Sequence, residues 1–346
     1  MKALLYERFQ QAPTVQSVPD PVCPPDGVLI DVAATGLCRS DWHGWMGHDP
    51  TIRLPQVPGH EFAGTVSEVG PDVQQWRVGD RVTVPFVCAC GVCAPCRAGE
   101  QQVCDNQSQP GFTQWGSFAE RVAVNHADIN LVSLPASIDF VTAASLGCRF
   151  STAYRALIAH GRIQTDQWVA VHGCGGVGLS AVMIGVSRGA HIIAIDTASA
   201  ALDLAVDLGA AATIDATNED VPAAVRRISA GGAHVSIDAL GSVMTCGNSI
   251  LSLRKRGRHV QVGLMVADAD PAPLPMAQVV ANELEIYGSH GMAAHSYPEL
   301  LADISAGRLD PGRLVADQIS LDNAGNQLAT MAQRRTAGIT IITPNG

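Results

Sequence analysis

A tight cluster of cysteines constrains this chain more than any other feature of its sequence. Four of its ten cysteines follow the pattern C-x2-C-x2-C-x7-C, namely Cys90, Cys93, Cys96 and Cys104. Four thiolates complete the tetrahedral shell of a zinc ion and leave no position for a substrate, so such a site fastens a loop. The spacing therefore predicts a closed, structural zinc site. Cys88 is a fifth cysteine in this stretch and could shift the ligand register.

Length, composition and charge define the class of protein. The 346 residues allow two domains, and 47% hydrophobic with 16% charged residues is typical of an ordered globular chain. A net charge of −10 with no basic run argues against a nucleic-acid partner.

The N-terminal residues MKALLYERFQ lack the apolar run of a signal peptide. Residues 168–186 are apolar but fit a buried strand, glycine turn and helix better than a membrane span. We therefore expect a cytoplasmic protein with no membrane partner and with reduced thiols.

The pattern of apolar and turn-forming residues changes near residue 152. Before it, short β-branched runs end at glycine and proline, which predicts a compact β domain. After it, apolar runs such as WVAVHG and HIIAID alternate with segments of helical period. That alternation predicts a parallel sheet covered by helices. The tail from about residue 290 holds one helical stretch, 297–306, and a final apolar run, 338–343, and we expect it to pack on the first domain.

A glycine-rich loop follows the first apolar run of the second half. WVAVHGCGGVG fits a strand, a tight turn and the start of a helix. Gly173 would allow the turn, Gly175 would let the backbone approach a pyrophosphate, and Gly178 would let helix and strand pack closely. The N–H groups at the helix start, around Gly176 and Val177, favour phosphate. The loop therefore predicts a dinucleotide site.

An acid lies where a dinucleotide site needs one. Asp196 ends the run HIIAID, and a carboxylate there can accept both ribose hydroxyls and repel a 2′-phosphate. The next residues, TASAA, contain no arginine or lysine to bind such a phosphate. NAD is therefore favoured over NADP.

Five motifs occur in a fixed order: GLCRSDWH, PGHEFAGTV, the four-cysteine cluster, LGCRFSTAY and GCGGVGL. Together they closely resemble the zinc-containing alcohol dehydrogenase branch of the medium-chain dehydrogenase/reductase family, over nearly the whole chain. The resemblance implies an α/β protein with a GroES-like, β-rich catalytic domain (1–151) and a Rossmann NAD-binding domain with a doubly wound parallel sheet (152–289). Residues 290–346 would return to the catalytic domain. The family also implies a homodimer or a homotetramer, between which the sequence does not choose.

The resemblance also implies a second zinc site, which would be catalytic. Position by position, Cys38, His60 and Cys148 match the zinc ligands, which leave one position for alcohol or water. Glu61 matches an acid that supports the site or serves as an alternate ligand. Asp41 matches the residue that orients the ligand histidine. The chain would then hold two zinc ions, one catalytic and one structural.

Four further residues match the family's substrate and cofactor contacts. Ser40 matches the hydroxyl that takes the substrate proton, and His43 matches the far end of that relay, reached through the nicotinamide ribose. Arg39 matches a pyrophosphate contact and Thr152 the residue beside the nicotinamide. A bound zinc ion would lower the pKa of the alcohol, and NAD would accept the hydride. The expected products are an aldehyde or a ketone, formed reversibly.

The sequence constrains the identity of the substrate less than any other part of the predicted activity. Phe86 matches a pocket position next to the zinc, and few carboxylates or amides occur in the neighbouring aromatic segments. That composition favours an apolar or aromatic alcohol. The alternative is a polyol or amino-alcohol dehydrogenase of the same family. A non-catalytic zinc or nucleotide-binding protein is disfavoured, because it would leave Ser40 and His43 unexplained.

One departure from the family concerns the C-terminus. Some members carry an arginine there that contacts the pyrophosphate, and the stretch GITIIT has none. Either Arg334 or Arg335 replaces it, or this chain lacks the contact.

Overall fold

The structure is a computed structural model that describes residues 1–265, 273–333 and 337–345. Its strands are β1 (Lys2–Leu5), β2 (Thr14–Ser17), β3 (Val28–Leu37), β4 (Phe62–Val69), β5 (Arg81–Thr83), β6 (Arg121–Val124), β7 (Val132–Ser133), β8 (Trp168–His172), β9 (His191–Asp196), β10 (Ala212–Asp215), β11 (Ala233–Asp238), β12 (Leu253–Gln261), β13 (Glu285–Gly288), β14 (Val315–Ser320) and β15 (Ile339–Thr343). Its helices are α1 (Arg39–Met46), α2 (Ala94–Arg97), α3 (Ala127–Asn130), α4 (Phe140–Ala144), α5 (Ser151–Arg155), α6 (Gly176–Ser187), α7 (Ser199–Asp207), α8 (Val221–Ile228), α9 (Val243–Leu251), α10 (Met276–Ala281), α11 (Tyr297–Ser305) and α12 (Leu321–Thr330).

The chain divides into two compact units. Unit 1 consists of Met1–Ser151, Gly291–Arg334 and Ile339–Gly346. Unit 2 consists of Thr152–His290 and Arg335–Gly338.

Unit 1 is built on a mostly antiparallel sheet. Its strand order is β14-β15-β3-β4-β5-β7, and β6 pairs with the first residues of β3 on the edge opposite β4. The central strand, β3, reads VLIDVAATGL and is buried along most of its length, as β-branched residues in a central strand should be. Val28, Ile30 and Val32 of this strand pack with Phe62 of β4 in the core. The sheet thereby fixes the carboxyl end of β3, where the first site residue follows.

The tail completes this sheet. Strand β15 pairs antiparallel with β3, with Ile341 opposite Gly36. The tail also contains α12, which the sequence analysis did not predict. Its buried apolar residues, Leu321, Ala324 and Leu328, have helical spacing but are few, and Gly325 lowers the helical propensity of the segment. That glycine is needed because a Cβ there would lie 2.4 Å from the carbonyl oxygen of Pro13.

Unit 2 contains a six-stranded sheet in which every pairing is parallel. Its strand order is β10-β9-β8-β11-β12-β13. Counted from β8, this is the order 3-2-1-4-5-6 of dinucleotide-binding folds. The continuous apolar runs of the sequence form the inner strands, because those strands are buried on both faces. The predicted α/β class, with a β-rich part and a parallel sheet, is confirmed.

No helix within the described part of the chain is long and apolar enough to span a membrane. The apolar residues 168–186 form β8, the glycine turn and most of α6.

Candidate active site and metal centres

The first candidate ligand lies where β3 meets α1. Cys38 directly follows β3 and is the N-cap of α1, in an extended conformation. Its backbone N–H donates to Asp41 Oδ2 at 2.9 Å. A carboxylate three residues into a helix often accepts the N-cap N–H in this way. The local sequence C-x-x-D therefore holds Cys38 in place.

Asp41 also holds the second candidate ligand. Its Oδ1 accepts the backbone N–H of Gly59 at 3.0 Å and lies 2.9 Å from His60 Nδ1. Both side chains are fully buried. A histidine that donates Nδ1–H to a carboxylate presents Nε2 to a metal in the correct tautomer. His60 Nε2 is buried and has no hydrogen-bond partner among the described residues, as expected of an atom awaiting a ligand.

Cys38, His60 and Cys148 come together, with their ligand atoms all within 4.8 Å of one another. A hydrogen bond with Cys148 holds the pKa of the Cys38 thiol well below its usual range. The same bond, together with burial, raises the pKa of Cys148. Two sulfurs and one imidazole are the donor set of catalytic zinc sites that keep an open position. Binding of a cation would displace the proton that the two sulfurs share. The residues present therefore fit a zinc ion.

Glu61 lies beside this cluster and is bound by Arg149. Its Oε1 accepts the backbone N–H of Arg149 at 2.7 Å, and its other oxygen forms an ion pair with the guanidinium. Arg149 also donates to the carbonyl of Leu37, the last residue of β3, at 3.0 Å. Gly36 leaves room for this pair, since a Cβ there would lie 2.6 Å from Arg149 Nη2.

This ion pair bears on the role predicted for Glu61. Burial raises the pKa of Glu61 to about 7, although the charge of Arg149 opposes the rise. The carboxylate is not part of the three-ligand cluster in the described chain. These contacts favour a supporting role over ligation, and ligation by Glu61 stays a prediction. Sequence reasoning missed Arg149, whose one signal was a lone cation directly after Cys148 in an apolar run.

The predicted relay residues lie on α1. Ser40 Oγ is 3.9 Å from Cys38 Sγ, which places the hydroxyl beside the first ligand. His43 lies one turn further along the helix and is half-buried. Desolvation lowers its pKa, and the charges of His48 and Arg39 lower it further. Arg39 is exposed, and its guanidinium carbon lies 4.9 Å from the ring centroid of Trp42.

Two aromatic rings flank the ligand histidine. The ring centroid of His60 is 5.1 Å from that of Phe112 and 6.2 Å from that of Phe86. Trp45, by contrast, packs into the core cluster of unit 1 with Leu4 and Leu5. The apolar surroundings of the site therefore come from the phenylalanines.

The four-cysteine cluster forms the second candidate metal centre. The ligand atoms of Cys90, Cys93, Cys96 and Cys104 lie within 4.8 Å of one another, and Cys88 is not part of this group. Neighbouring sulfurs are 3.3, 3.5 and 3.7 Å apart. Tetrahedral zinc with Zn–S bonds of about 2.3 Å needs sulfurs about 3.8 Å apart, close to this spacing.

Backbone groups of the cluster prepare its sulfurs for a cation. Cys104 Sγ accepts N–H bonds from Cys90 and Asn106, both at 3.3 Å. A backbone hydrogen bond from Val92, outweighing desolvation, lowers the pKa of Cys90 to about 6. N–H donors stabilise thiolates, which are the form that binds metal. This cluster also fits a zinc ion.

The glycine loop of unit 2 has the predicted shape. Gly173 has a φ of +89°, which favours glycine. A Cβ on Gly178 would lie 1.7 Å from the carbonyl oxygen of Gly173, so helix and strand approach closely there. A Cβ on Gly175 would meet no atom of the described residues within 4 Å. Gly175 is the N-cap of α6 and has no side-chain cap, which leaves the N–H groups of Gly176 and Val177 for a phosphate.

Asp196 lies beside this loop at the end of β9. Its carboxylate accepts backbone N–H bonds from Cys174 at 2.6 Å, Thr197 at 2.7 Å and Ala198 at 2.9 Å. The acid is thereby fixed next to the turn that would bind a pyrophosphate, as the fit to a dinucleotide requires. Thr152, also in unit 2, is buried with a hydroxyl that has no partner among the described residues. Arg334 and Arg335 lie outside the described residues.

Two family models match this chain. The family model described as the alcohol dehydrogenase GroES-like domain matches residues 24–136. The one described as zinc-binding dehydrogenase matches residues 176–306.

Known proteins resemble the whole chain. It is 33% identical to an alcohol dehydrogenase of Geobacillus stearothermophilus, over 84% of each chain. It is 31% identical to an NAD-dependent alcohol dehydrogenase of Sulfurisphaera tokodaii, over 99% of this chain and all of the other. The solved structure of the alcohol dehydrogenase TADH from Thermus sp. ATN1 superposes with a TM-score of 0.91 and 31% identity, covering 99% of both chains.

Proposed function

Because the chain belongs to the zinc-containing alcohol dehydrogenase branch of the medium-chain dehydrogenase/reductase family and is an oxidoreductase, we propose that it oxidises an apolar or aromatic alcohol with NAD. The products would be an aldehyde or a ketone, and the reaction would be reversible. The observation that carries this proposal is the cluster of Cys38, His60 and Cys148, in which His60 Nε2 has no hydrogen-bond partner within the described part of the chain.

Each group of the site has a role in this proposal. When bound, zinc would supply the Lewis acidity that lowers the pKa of an alcohol, and NAD would accept the hydride. Cys38, His60 and Cys148 would hold the zinc, and Asp41 fixes the orientation of both Cys38 and His60 through its two oxygens. The ion pair of Arg149 with Glu61 anchors the residue next to Cys148.

Ser40 and His43 would move the proton of the substrate hydroxyl. Ser40 lies beside Cys38, where its Oγ can accept a hydrogen bond from an alcohol held at the cluster. Burial lowers the pKa of His43, which keeps its ring neutral and able to accept a proton near neutral pH. Phe86 and Phe112 would exclude water from this side of the site and favour an apolar substrate.

The cofactor would be held by unit 2. The loop from Gly173 to Gly178 and the fixed carboxylate of Asp196 support NAD over NADP, since Asp196 would repel a 2′-phosphate. Arg39, Thr152 and His43 are proposed contacts to the same cofactor. The cluster of Cys90, Cys93, Cys96 and Cys104 would hold a second, structural zinc ion.

Assembly and location are also part of the proposal. We propose a homodimer or homotetramer in the cytoplasm. Strand β13 lies at an edge of the sheet of unit 2, and Met276, Val280 and Ile286 near it expose apolar side chains. Uncovered apolar groups beside an open edge support pairing with a second copy. Light scattering should give the mass of two or four chains.

The test is turnover across a panel of aliphatic, aromatic and polyol alcohols, followed by NADH absorbance. The zinc-loaded protein should oxidise the apolar or aromatic members and bind two zinc ions per chain. Cys38→Ala should lose turnover and one zinc ion. Cys23→Ala, a cysteine outside both clusters, should keep both. Turnover only with polyols would replace the proposed substrate class, and no turnover with any alcohol would refute the activity.

A further inference from the structure

Two histidines at the end of α1 are hydrogen-bonded to each other. His43 Nδ1 and His48 Nδ1 are 2.9 Å apart. One ring must donate its N–H and the other must accept it, so a single proton lies between the two rings. None of the sequence motifs gives His48 a role.

The helix end brings the two rings together. Gly47 ends α1 in the left-handed conformation, with a φ of +84°. This reversal lets the backbone N–H of His48 donate to the carbonyl of His43 at 3.0 Å, while Gly47 N–H donates to Gly44 at 3.0 Å. The pattern is a Schellman closure, which needs glycine at this position. His48 is therefore placed over His43 by the backbone and not by chance contact.

One indole packs against both rings. The ring centroid of Trp42 lies 5.0 Å from that of His43 and 5.8 Å from that of His48, edge-on in both cases. Edge-to-face packing of this kind fixes ring orientation. His43 is half-buried whereas His48 is exposed, so the pair runs from the proposed site outward to solvent.

We propose that His48 is the second station of the proton relay and delivers to solvent the proton that His43 receives. This inference rests on the proposed function. His43 Nε2 gains the proton that leaves the substrate hydroxyl, and His43 Nδ1–H passes its proton to His48 Nδ1. His48 then loses its Nε2 proton to water. Charge and protons balance, and exchange of the ring N–H groups with solvent restores the starting tautomers.

The charged groups around the pair are few. On the pKa of His43, the charges of His48 and Arg39 act downward and that of Cys38 acts upward. Asp49 follows His48 and accepts hydrogen bonds from Thr51. Helix α12 packs against α1 and carries one charged residue, Asp322. Because the charge of His48 lowers the pKa of His43, removal of His48 should raise that pKa.

Two variants separate proton transfer from simple support. His48→Ala removes the ring, whereas His48→Asn keeps a polar atom near the position of Nδ1 but cannot pass a proton on. Both variants should lower kcat by about tenfold below pH 6.5. A group that takes the substrate proton directly would be expected to contribute roughly 100-fold or more. The loss should be smaller here because water can still accept the proton from His43. In both, the acid limb of the kcat profile should move to higher pH.

A matched control and a rescue accompany these variants. His126→Asn changes another half-exposed histidine, in the left-handed conformation that asparagine tolerates, and should leave kcat and its pH profile unchanged. Added imidazole should raise the kcat of His48→Ala and leave that of His126→Asn unaltered.

A second measurement does not depend on turnover. Histidine-ring NMR of the wild-type protein should show His43 titrating in two steps, since the rings form a coupled pair. In His48→Asn and His48→Ala the ring of His43 should titrate in one step.

The outcomes are distinct. If His48→Asn keeps the wild-type kcat while His48→Ala does not, His48 only supports His43. That result would overturn the relay, while the proposed function would stand. Wild-type behaviour in both variants, or a one-step titration of His43 in the wild type, would overturn it as well. Absence of turnover by the wild-type protein with every alcohol would refute the proposed function and the relay with it.

Discussion

At the scale of single residues, the candidate zinc site depends on side chains that are not ligands. Asp41 joins Cys38, Gly59 and His60 through two oxygens, and Arg149 joins Glu61 to the end of β3. These groups are fully or almost fully buried. In a buried site a missing partner leaves a polar atom unsatisfied, so each of these contacts should have a measurable effect.

Asp41→Asn should weaken zinc binding at the three-ligand cluster. An amide nitrogen cannot accept an N–H, so the variant loses the acceptor either for Cys38 or for both Gly59 and His60. In either case one zinc ligand is no longer held in place. Loss of such a supporting acid costs about 10-fold to 100-fold in metal affinity. Competition with a chelator measures that affinity, and Asp72→Asn, on the exposed surface, should leave it unchanged. Unaltered affinity in Asp41→Asn would contradict the role given to Asp41.

Arg149→Met should destabilise the zinc-free protein because it leaves Glu61 buried without its cation. Breaking a buried ion pair costs about 3–5 kcal/mol. The double variant Glu61→Gln/Arg149→Met removes both charges and should recover much of that loss. Denaturant unfolding of the single and double variants gives the coupling free energy, and purely additive losses would show that the pair does not interact.

At the scale of elements, the turn between β8 and α6 separates two uses of glycine. Gly178 is required by the fold, since a Cβ there would overlap the carbonyl of Gly173. Gly175 has an ordinary φ of −76°, and a Cβ there would contact none of the residues that the structure describes, so their packing does not require glycine. Since no described residue would contact a side chain at Gly175, we expect such a side chain to interfere with an incoming ligand.

Alanine at Gly178 should therefore affect stability, whereas alanine at Gly175 should affect cofactor binding. Gly178→Ala should lower the free energy of unfolding by about 1–3 kcal/mol, as overpacking does. Gly175→Ala should leave the thermal midpoint unchanged and weaken NADH binding by at least about tenfold, because the added methyl group blocks close approach of the pyrophosphate. Calorimetry and a fluorescence titration with NADH measure the two quantities. Equal NADH affinity in Gly175→Ala and the wild type would place the phosphates elsewhere.

At the scale of the whole molecule, stability should fall in acid because of a buried histidine. Burial lowers the pKa of His172 to about 3, and the charge of His259 adds to this. The unfolded chain binds a proton at His172 below about pH 6.5, whereas the folded protein does not. The contribution of neutral His172 to the free energy of unfolding is thus present above about pH 6.5 and is lost as the pH falls towards 3.

His172→Leu should remove part of this acid sensitivity. One proton bound only by the unfolded state costs about 1.4 kcal/mol per pH unit. The free energy of unfolding should therefore fall less steeply between about pH 6 and pH 4 in the variant than in the wild type, whatever its stability at neutral pH. Urea unfolding at several pH values gives the slopes, and parallel slopes would mean that His172 is protonated in the folded state.

Features that depend on neighbours along the chain could be predicted from the order of the amino acids. Strand and helix periods gave the parallel sheet of unit 2, and the glycine spacing gave its turn, because both follow from local backbone geometry. The four cysteines were predicted as one group because they fall within 15 residues of one another. The family resemblance, confirmed by the comparisons, added the dispersed candidates Cys38, His60 and Cys148.

Contacts between residues that are distant along the chain could be seen only in the folded protein. Glu61 and Arg149 are 88 positions apart, and no period or spacing in the chain connects them. The pairing of β15 with β3 and the burial of α12 likewise depend on surfaces that exist only after folding. His43 and His48 are close in sequence, yet their hydrogen bond requires Gly47 in the left-handed conformation and Trp42 against both rings. Local patterns thus supplied the residues, and long-range packing determined their partners, because desolvation and hydrogen-bond geometry are properties of the folded chain.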